Sequence, residues 1–149
     1  MPRRGQIIDV EVPTYISGVF NFHTGAIGTF TTTFDVWNTR QPFIEIYGET
    51  GTLILPDPNH YTGSVQVIRM QEKEWTTIPP LHEYTEVDRC VGLADMVRAL
   101  RCSRPHRAGS DMGLHVLEIM YAFDAAAKSG VCQKIESTCA RPAPLWEES

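Results

Sequence analysis

The stretch PFIEIYGETGTLILPDP, residues 42–58, constrains the fold of this chain more than any other. Its first arm, residues 43–47, alternates aromatic and β-branched side chains with a glutamate, which is typical of a strand. Gly48 and Gly51 bracket a short turn, and residues 52–55 return as a second strand. Two prolines then end the pairing, because proline has no N–H to donate to a sheet. The stretch therefore predicts a β-hairpin within an antiparallel sheet.

Size and charge set the broad class of protein. The chain has 149 residues, of which 42% are hydrophobic, and we therefore expect one domain with a real core. Its 13 Lys and Arg residues are dispersed and are outnumbered by 18 Asp and Glu, giving a net charge of −5. This balance argues against nucleic acid as a partner.

Compartment and metal content follow from the apolar runs and the cysteines. No apolar run approaches the roughly 20 residues of a membrane-spanning helix. The N-terminus MPRRGQIIDV lacks the apolar core of a secretion signal, so we expect a cytoplasmic protein without a membrane partner. The four cysteines show no C-x-x-C spacing, and we interpret them as ordinary thiols and predict no metal site.

The first half of the chain reads as successive strands. Alternating side chains predict strands at residues 7–12, 15–22, 26–35, 64–70 and 74–78, in addition to the hairpin. The strand at 26–35 places Phe30 and Phe34 on one face and a threonine-rich set on the other: Ile27, Thr29, Thr31 and Thr33. That second face suits either contact with another subunit or exposure to water.

The second half changes to a helical period. Leu93, Met96, Val97 and Leu100 recur at helical spacing and predict a first helix of about three turns. A second helix is expected from Ser110 or Asp111 to Lys128; since it is apolar nearly all round, we expect it to be the most buried element. Residues 131–135 read as a last strand. The order predicts an α+β fold, with an open, mainly antiparallel sheet covered by helices on one face.

Several motifs of cofactor binding and catalysis are missing. The sequence contains no G-x-G-x-x-G between a strand and a helix, no G-x-x-x-x-G-K-[ST], no H-E-x-x-H and no G-x-S-x-G. We therefore expect no catalytic residue and no bound cofactor in this chain. His82 lies in a polar loop and carries more functional interest than a histidine inside a helix, although a plain surface role is equally compatible.

Two polar loops are candidates for ligand binding. Residues 35–41 combine an aromatic plate, Trp37, with the guanidinium of Arg40. Residues 81–89 bring together the second group of candidate residues, His82, Tyr84 and Arg89. Mixtures of aromatic faces and hydrogen-bond donors hold sugar-like and polyol ligands, although long polar loops between strands often have this composition.

The chain resembles the C-terminal domain of the glucose-fructose oxidoreductase, inositol dehydrogenase and MocA family (Gfo/Idh/MocA). The resemblance covers about residues 10–145, and its most specific parts are IEIYGETGTLILPDPN and the helix that contains LHVLE. It implies an open antiparallel sheet with helices on one face and a subunit-pairing surface on the other. It also implies a longer parent enzyme whose N-terminal Rossmann domain binds NAD or NADP and which acts on a sugar- or polyol-like substrate.

The family's catalytic lysine lies in the Rossmann domain, and its catalytic aspartate and histidine open the second domain. Both would precede Met1, so the resemblance implies a non-catalytic fragment that partners a Rossmann domain and forms a homo-oligomer. The loops of Trp37, Arg40, His82, Tyr84 and Arg89 resemble the rim of the family's substrate pocket. Two further hypotheses stay open: a standalone binding or structural module that self-associates, and an enzyme that uses His82 with neighbouring glutamates.

Overall fold

The computed structural model describes residues 5–7, 9–80 and 89–144. Within them the chain forms antiparallel strands and two helices, and the α+β fold class with open sheets is confirmed. The chain divides into two compact units. Unit 1 comprises Met1–Thr39 and Met120–Lys134, and unit 2 comprises Arg40–Ile119 and Ile135–Ser149.

Unit 1 contains a two-stranded hairpin. Strands β1 (Tyr15–Asn21) and β2 (Ile27–Thr33) pair antiparallel, with Gly18 opposite Phe30. The turn between them is closed by the N–H of Gly25, which donates to the carbonyl of Phe22 at 2.9 Å. Gly25 has a φ of 92°, a left-handed conformation that glycine adopts without strain. The predicted turn is therefore confirmed.

The two faces of this hairpin have different surroundings. Phe123, in the second helix, packs on one face, with its ring centroid 5.3 Å from that of Phe30 and 6.3 Å from that of Phe20. Gly18 lies under the same ring, where any Cβ would collide with it. The opposite face carries the predicted threonine-rich set: Ile27, Thr29 and Thr31 are exposed and Thr33 is half-buried. Its β1 residues, Tyr15, Ser17, Val19 and Asn21, are exposed.

Unit 2 contains a four-stranded antiparallel sheet in the order β3-β4-β5-β6. The strands are β3 (Ile44–Tyr47), β4 (Gly51–Leu55), β5 (Val65–Arg69) and β6 (Thr76–Ile78). The predicted hairpin is confirmed: β3 pairs with β4, and the N–H of Gly48 donates to the carbonyl of Gly51 at 2.9 Å. Pairing aligns Ile46, Leu53 and Val67 in one row, and Val67 is the buried residue of this row.

The helices α1 (Val91–Arg101) and α2 (Ser110–Ser129) follow the predicted positions, but their burial differs from expectation. α1 buries Val91, Asp95 and Ala99, whereas the apolar stripe of Leu93, Met96, Val97 and Leu100 is exposed. None of the residues of α2 is buried, so the prediction of a most-buried helix is wrong. A helix that is apolar all round is buried only where other layers surround it, and the described chain covers only part of α2.

Two predicted strands are absent from the described part of the chain. Residues 9–12 form no strand, and neither do residues 131–135. An alternating pattern produces a strand only where a partner strand forms backbone hydrogen bonds with it, and the described chain supplies no partner strand to either segment. No helix among the described residues is long and apolar enough to cross a bilayer.

Candidate functional site

The predicted site residue Arg89 lines a cavity of about 320 Å³ in unit 2. This volume is at the lower end of the range for small-molecule pockets, roughly 300 to 1,000 Å³. One wall comes from the loop after β4, and the other from the residues that begin α1. The lining residues in the described part of the chain are Pro58, Asn59, Tyr61, Arg89, Cys90, Val91 and Gly92.

Local hydrogen bonds shape the first wall. The carboxylate of Asp57 accepts the N–H of Asn59 at 2.8 Å, which makes an Asx turn around Pro58. Further along the loop, Gly63 adopts a φ of 101° and lies against Pro56, where a Cβ would collide with the proline ring. The loop is thus folded back on itself, and Asn59 and Tyr61 line the cavity.

The second wall is the start of α1. Cys90 precedes the helix in a left-handed conformation, with a φ of 70°, and makes no side-chain capping hydrogen bond. Val91 is buried, and Gly92 leaves open space where other residues would carry a Cβ. At Gly92 the second wall therefore presents backbone atoms instead of a side chain.

Hydrogen-bonding groups dominate the chemistry of this cavity. Arg89 carries the charge among its described lining residues, Asn59 offers an amide, and Tyr61 offers a hydroxyl. The described lining contains no carboxylate or imidazole that would act as a base for the Cys90 thiol. The described lining suits binding of a polar ligand.

Two of the other predicted site residues, Trp37 and Arg40, are described and are not among the lining of this cavity. Trp37 is fully exposed in unit 1, and Arg40 is exposed in unit 2. His82 and Tyr84 lie outside the described residues. Of the five candidates, Arg89 is the one that the structure places in a cavity.

A buried ion-pair cluster is centred on Asp95 of α1, and sequence reasoning missed it. The side chain of Asp95 is 3% exposed, and its Oδ1 accepts hydrogen bonds from Nη2 of Arg104, at 2.8 Å, and from Nη1 of Arg107. Its Oδ2 accepts the backbone N–H of Arg107 at 2.8 Å. The pKa of Asp95 is lowered to about 2, and the hydrogen bond from the Arg107 N–H is the largest cause. Burial acts in the opposite direction and raises the pKa, whereas the hydrogen bonds from the two guanidinium groups lower it further.

A signal for this cluster is present in the sequence. Asp95 falls on the same helical face as Val91 and Ala99, four residues away on each side, and a carboxylate on a buried face needs cationic partners. The segment Arg104-Pro105-His106-Arg107 directly after the helix supplies two arginines. Reading the apolar stripe alone conceals this pairing.

A second hydrogen-bonded group links α2 to the chain that follows it. The carboxylate of Glu118 accepts the N–H groups of Glu136, at 2.8 Å, and Ser137, at 2.9 Å. A hydrogen bond with the Ser137 side chain, supported by those N–H groups, lowers the pKa of Glu118. Nδ1 of His115 lies 2.9 Å from the Ser137 hydroxyl. His115 therefore has a polar partner within the fold, as expected for a helical histidine.

Neither a disulfide nor a metal-binding group of side chains is found among the described residues. Cys90, Cys102, Cys132 and Cys139 are free thiols. Over residues 5–7, 9–80 and 89–144, no three His, Cys, Asp or Glu side chains are grouped to hold a metal ion.

No protein-family model, no curated protein and no solved structure matches this chain.

Proposed function

We propose that this chain is the substrate-binding and oligomerisation domain of an NAD(P)-dependent oxidoreductase that acts on a sugar- or polyol-like substrate. In this proposal, a separate Rossmann domain of the parent enzyme binds NAD or NADP and moves the hydride. The present chain binds substrate and joins subunits, and it is not catalytic alone. The proposal rests on the sequence resemblance to the Gfo/Idh/MocA family, on the α+β fold and on the surface described next.

The exposed face of the β1–β2 hairpin carries the proposal. Tyr15, Val19 and Ile27 are 55%, 63% and 72% exposed on a face that also presents serine and threonine side chains. Exposing large apolar side chains of a strand face to water is unfavourable, and burying them in an interface is stabilising. Phe123 packs on the opposite face, which leaves the face of Tyr15, Val19 and Ile27 exposed for pairing with a second copy of the chain.

The cavity at Arg89 supports the substrate-binding half of the proposal. Its amide, hydroxyl and guanidinium groups match the hydroxyl-rich surface of a sugar or polyol. The free thiols suit the reducing cytoplasm, where nicotinamide cofactors are used, and we place the parent enzyme there.

Sedimentation velocity of the chain and of a Val19→Lys variant tests the pairing surface. We expect the wild-type chain to self-associate and Val19→Lys to weaken association by at least about tenfold, because a two-fold interface brings the new ammonium groups together. Met70→Lys is the matched control, since Met70 is 69% exposed and belongs to unit 2 rather than to the β1–β2 hairpin. A strictly monomeric wild-type chain at high concentration, or equal weakening by both substitutions, would contradict the proposed surface.

The genomic sequence upstream of Met1 separates the oxidoreductase from the alternative, a standalone binding or structural module that self-associates through the same face. An open reading frame that continues upstream and encodes G-x-G-x-x-G is expected for the oxidoreductase. An in-frame stop directly before Met1, in a gene expressed as it stands, would favour the standalone module.

A further inference from the structure

The segment that follows α2 within unit 2, residues 135–144, is named the strap. It has no regular secondary structure. Its first residues alternate between half-buried (Ile135, Ser137, Cys139) and exposed (Glu136, Thr138, Ala140). Such a period of two describes an extended chain with one side against the rest of unit 2.

The beginning of the strap is anchored through its backbone. The carboxylate of Glu118 accepts two successive backbone N–H groups, those of Glu136 and Ser137, at 2.8 and 2.9 Å. Hydrogen bonds to a charged acceptor are about twice as strong as neutral ones. Nδ1 of His115 adds a contact to the Ser137 hydroxyl.

The end of the strap is anchored in the opposite sense, through its carbonyls. Nε of Arg107 donates to the carbonyl of Ala143 and Nη2 donates to that of Pro144, each at 2.7 Å. The same guanidinium is held in place by Asp95. In a proline-rich chain the carbonyls are the backbone groups left to recognise, because proline has no N–H and an extended chain forms no internal hydrogen bonds.

Between these two anchors the strap lacks the bonding of a strand. No backbone–backbone hydrogen bond joins residues 137–144 to the described chain. The anchors lie seven residues apart, which corresponds to about 22 Å at the rise of an extended, proline-rich chain. Among the described contacts, the strap is thus held by its main chain at two separated points, as a docked peptide is, and the Ser137 side chain adds a third contact.

From this attachment we infer that the strap is a releasable segment, and that the groove it occupies is a receptor for an extended peptide with a proline-rich end. When the strap is released, the carboxylate of Glu118 can accept two adjacent N–H groups of another chain. The guanidinium of Arg107 can donate to two adjacent carbonyls. Those groups recognise main chain, so a peptide of the same chemistry binds in trans. The strap then acts as an internal competitor for its own groove, independently of the function proposed above.

Hydrogen–deuterium exchange of the full chain tests release. The strap amides, residues 135–141 and 143, are expected to exchange at least tenfold faster than those of β4 and β5, because local opening frees them without unfolding the sheet. Glu136→Pro removes one N–H that Glu118 accepts, and Arg107→Lys removes the forked donor to the two carbonyls. Each substitution is expected to raise strap exchange by a further factor of about ten or more. Glu136→Pro is expected to leave β4 and β5 unchanged, whereas Arg107→Lys also weakens the pair with Asp95 and is expected to raise their exchange as well.

Binding of a synthetic peptide, KIESTCARPAP (residues 134–144), separates the groove from the strap. Glu136→Pro loosens the internal competitor and leaves the groove intact, so the labelled peptide is expected to bind this variant more tightly than wild type. Arg107→Lys damages the groove and is expected to abolish binding. The inference is overturned if strap and sheet amides exchange together in every variant, or if peptide binding is absent from Glu136→Pro or insensitive to Arg107→Lys.

Discussion

Replacement of Asp95 by asparagine removes one negative charge from α1 and leaves the shape of the side chain almost unchanged. In the structure this carboxylate is 3% exposed and accepts hydrogen bonds from Arg104 and Arg107. An asparagine offers one oxygen in place of two, and its NH₂ group then faces a donor. We therefore expect Asp95→Asn to leave two guanidinium groups inadequately paired.

The lowered pKa of Asp95 sets the magnitude. The carboxyl has a pKa of about 2 in the fold against 3.8 ordinarily, which corresponds to roughly 2–3 kcal/mol of stability at neutral pH. Breaking one side of a buried ion pair costs roughly 3–5 kcal/mol, since the remaining charge stays buried. We expect Asp95→Asn to lower the free energy of unfolding by about 3 kcal/mol.

Urea denaturation followed by circular dichroism measures this loss at pH 7. Because the pKa of Asp95 is lowered by folding, its contribution is present above pH 4 and is lost as the pH falls from about 4 to below 2. The variant is expected to lack that acid-dependent part. The control is Asp124→Asn, which breaks the exposed pair with Lys128 and is expected to cost less than about 1 kcal/mol. Equal stability of the two variants, or an unchanged acid profile in Asp95→Asn, would refute the reasoning.

Two further substitutions test the sheet and the cavity. Gly51→Ala places a Cβ against the carbonyl oxygen of Ile68 in the neighbouring strand. It is expected to destabilise the chain by about 1–3 kcal/mol in thermal denaturation. Gly92→Ala is the control, because its Cβ meets open space and is expected to leave the stability unchanged. Arg89→Gln is expected to abolish saturation-transfer signals from sugars and polyols without changing the circular dichroism spectrum. Arg69→Gln, at an exposed ion pair, is the control and is expected to preserve these signals. Equal signals in both variants would exclude the cavity as the ligand site.

The sequence predicts the strands well where a turn and a partner strand are both encoded locally. The hairpin of β3 and β4 has two glycines at its turn and a complementary arm on each side, so pairing is decided within a few residues. Residues 131–135 are also predicted as a strand, but they form none in the structure. The next two residues bond to the carboxylate of Glu118 instead, and no local pattern encodes that contact.

The candidate site was predictable only in part, for a related reason. Arg89 attracts attention as a cation beside a polar loop, and the structure places it in a cavity. The other wall of that cavity depends on the Asx turn of Asp57 and on the left-handed Cys90, which are set by backbone geometry. Side-chain composition says little about such walls, so Asn59 and Tyr61 gave no advance signal.

In unit 2, hydrogen bonds to charged groups provide much of the stabilisation that an apolar core provides in other proteins. The hydrophobic residues buried in the described chain are few, namely Val67, Val91 and Ala99, while α1 presents its apolar stripe to solvent. Asp95 and Glu118 hold together segments that this small core does not fix. A chain built in this way gains further stability from whatever covers its apolar faces, because binding to the folded state alone shifts the folding equilibrium by mass action. If a second copy covers the β1–β2 face, the melting temperature of the wild-type chain must rise with protein concentration, and this dependence must weaken in Val19→Lys.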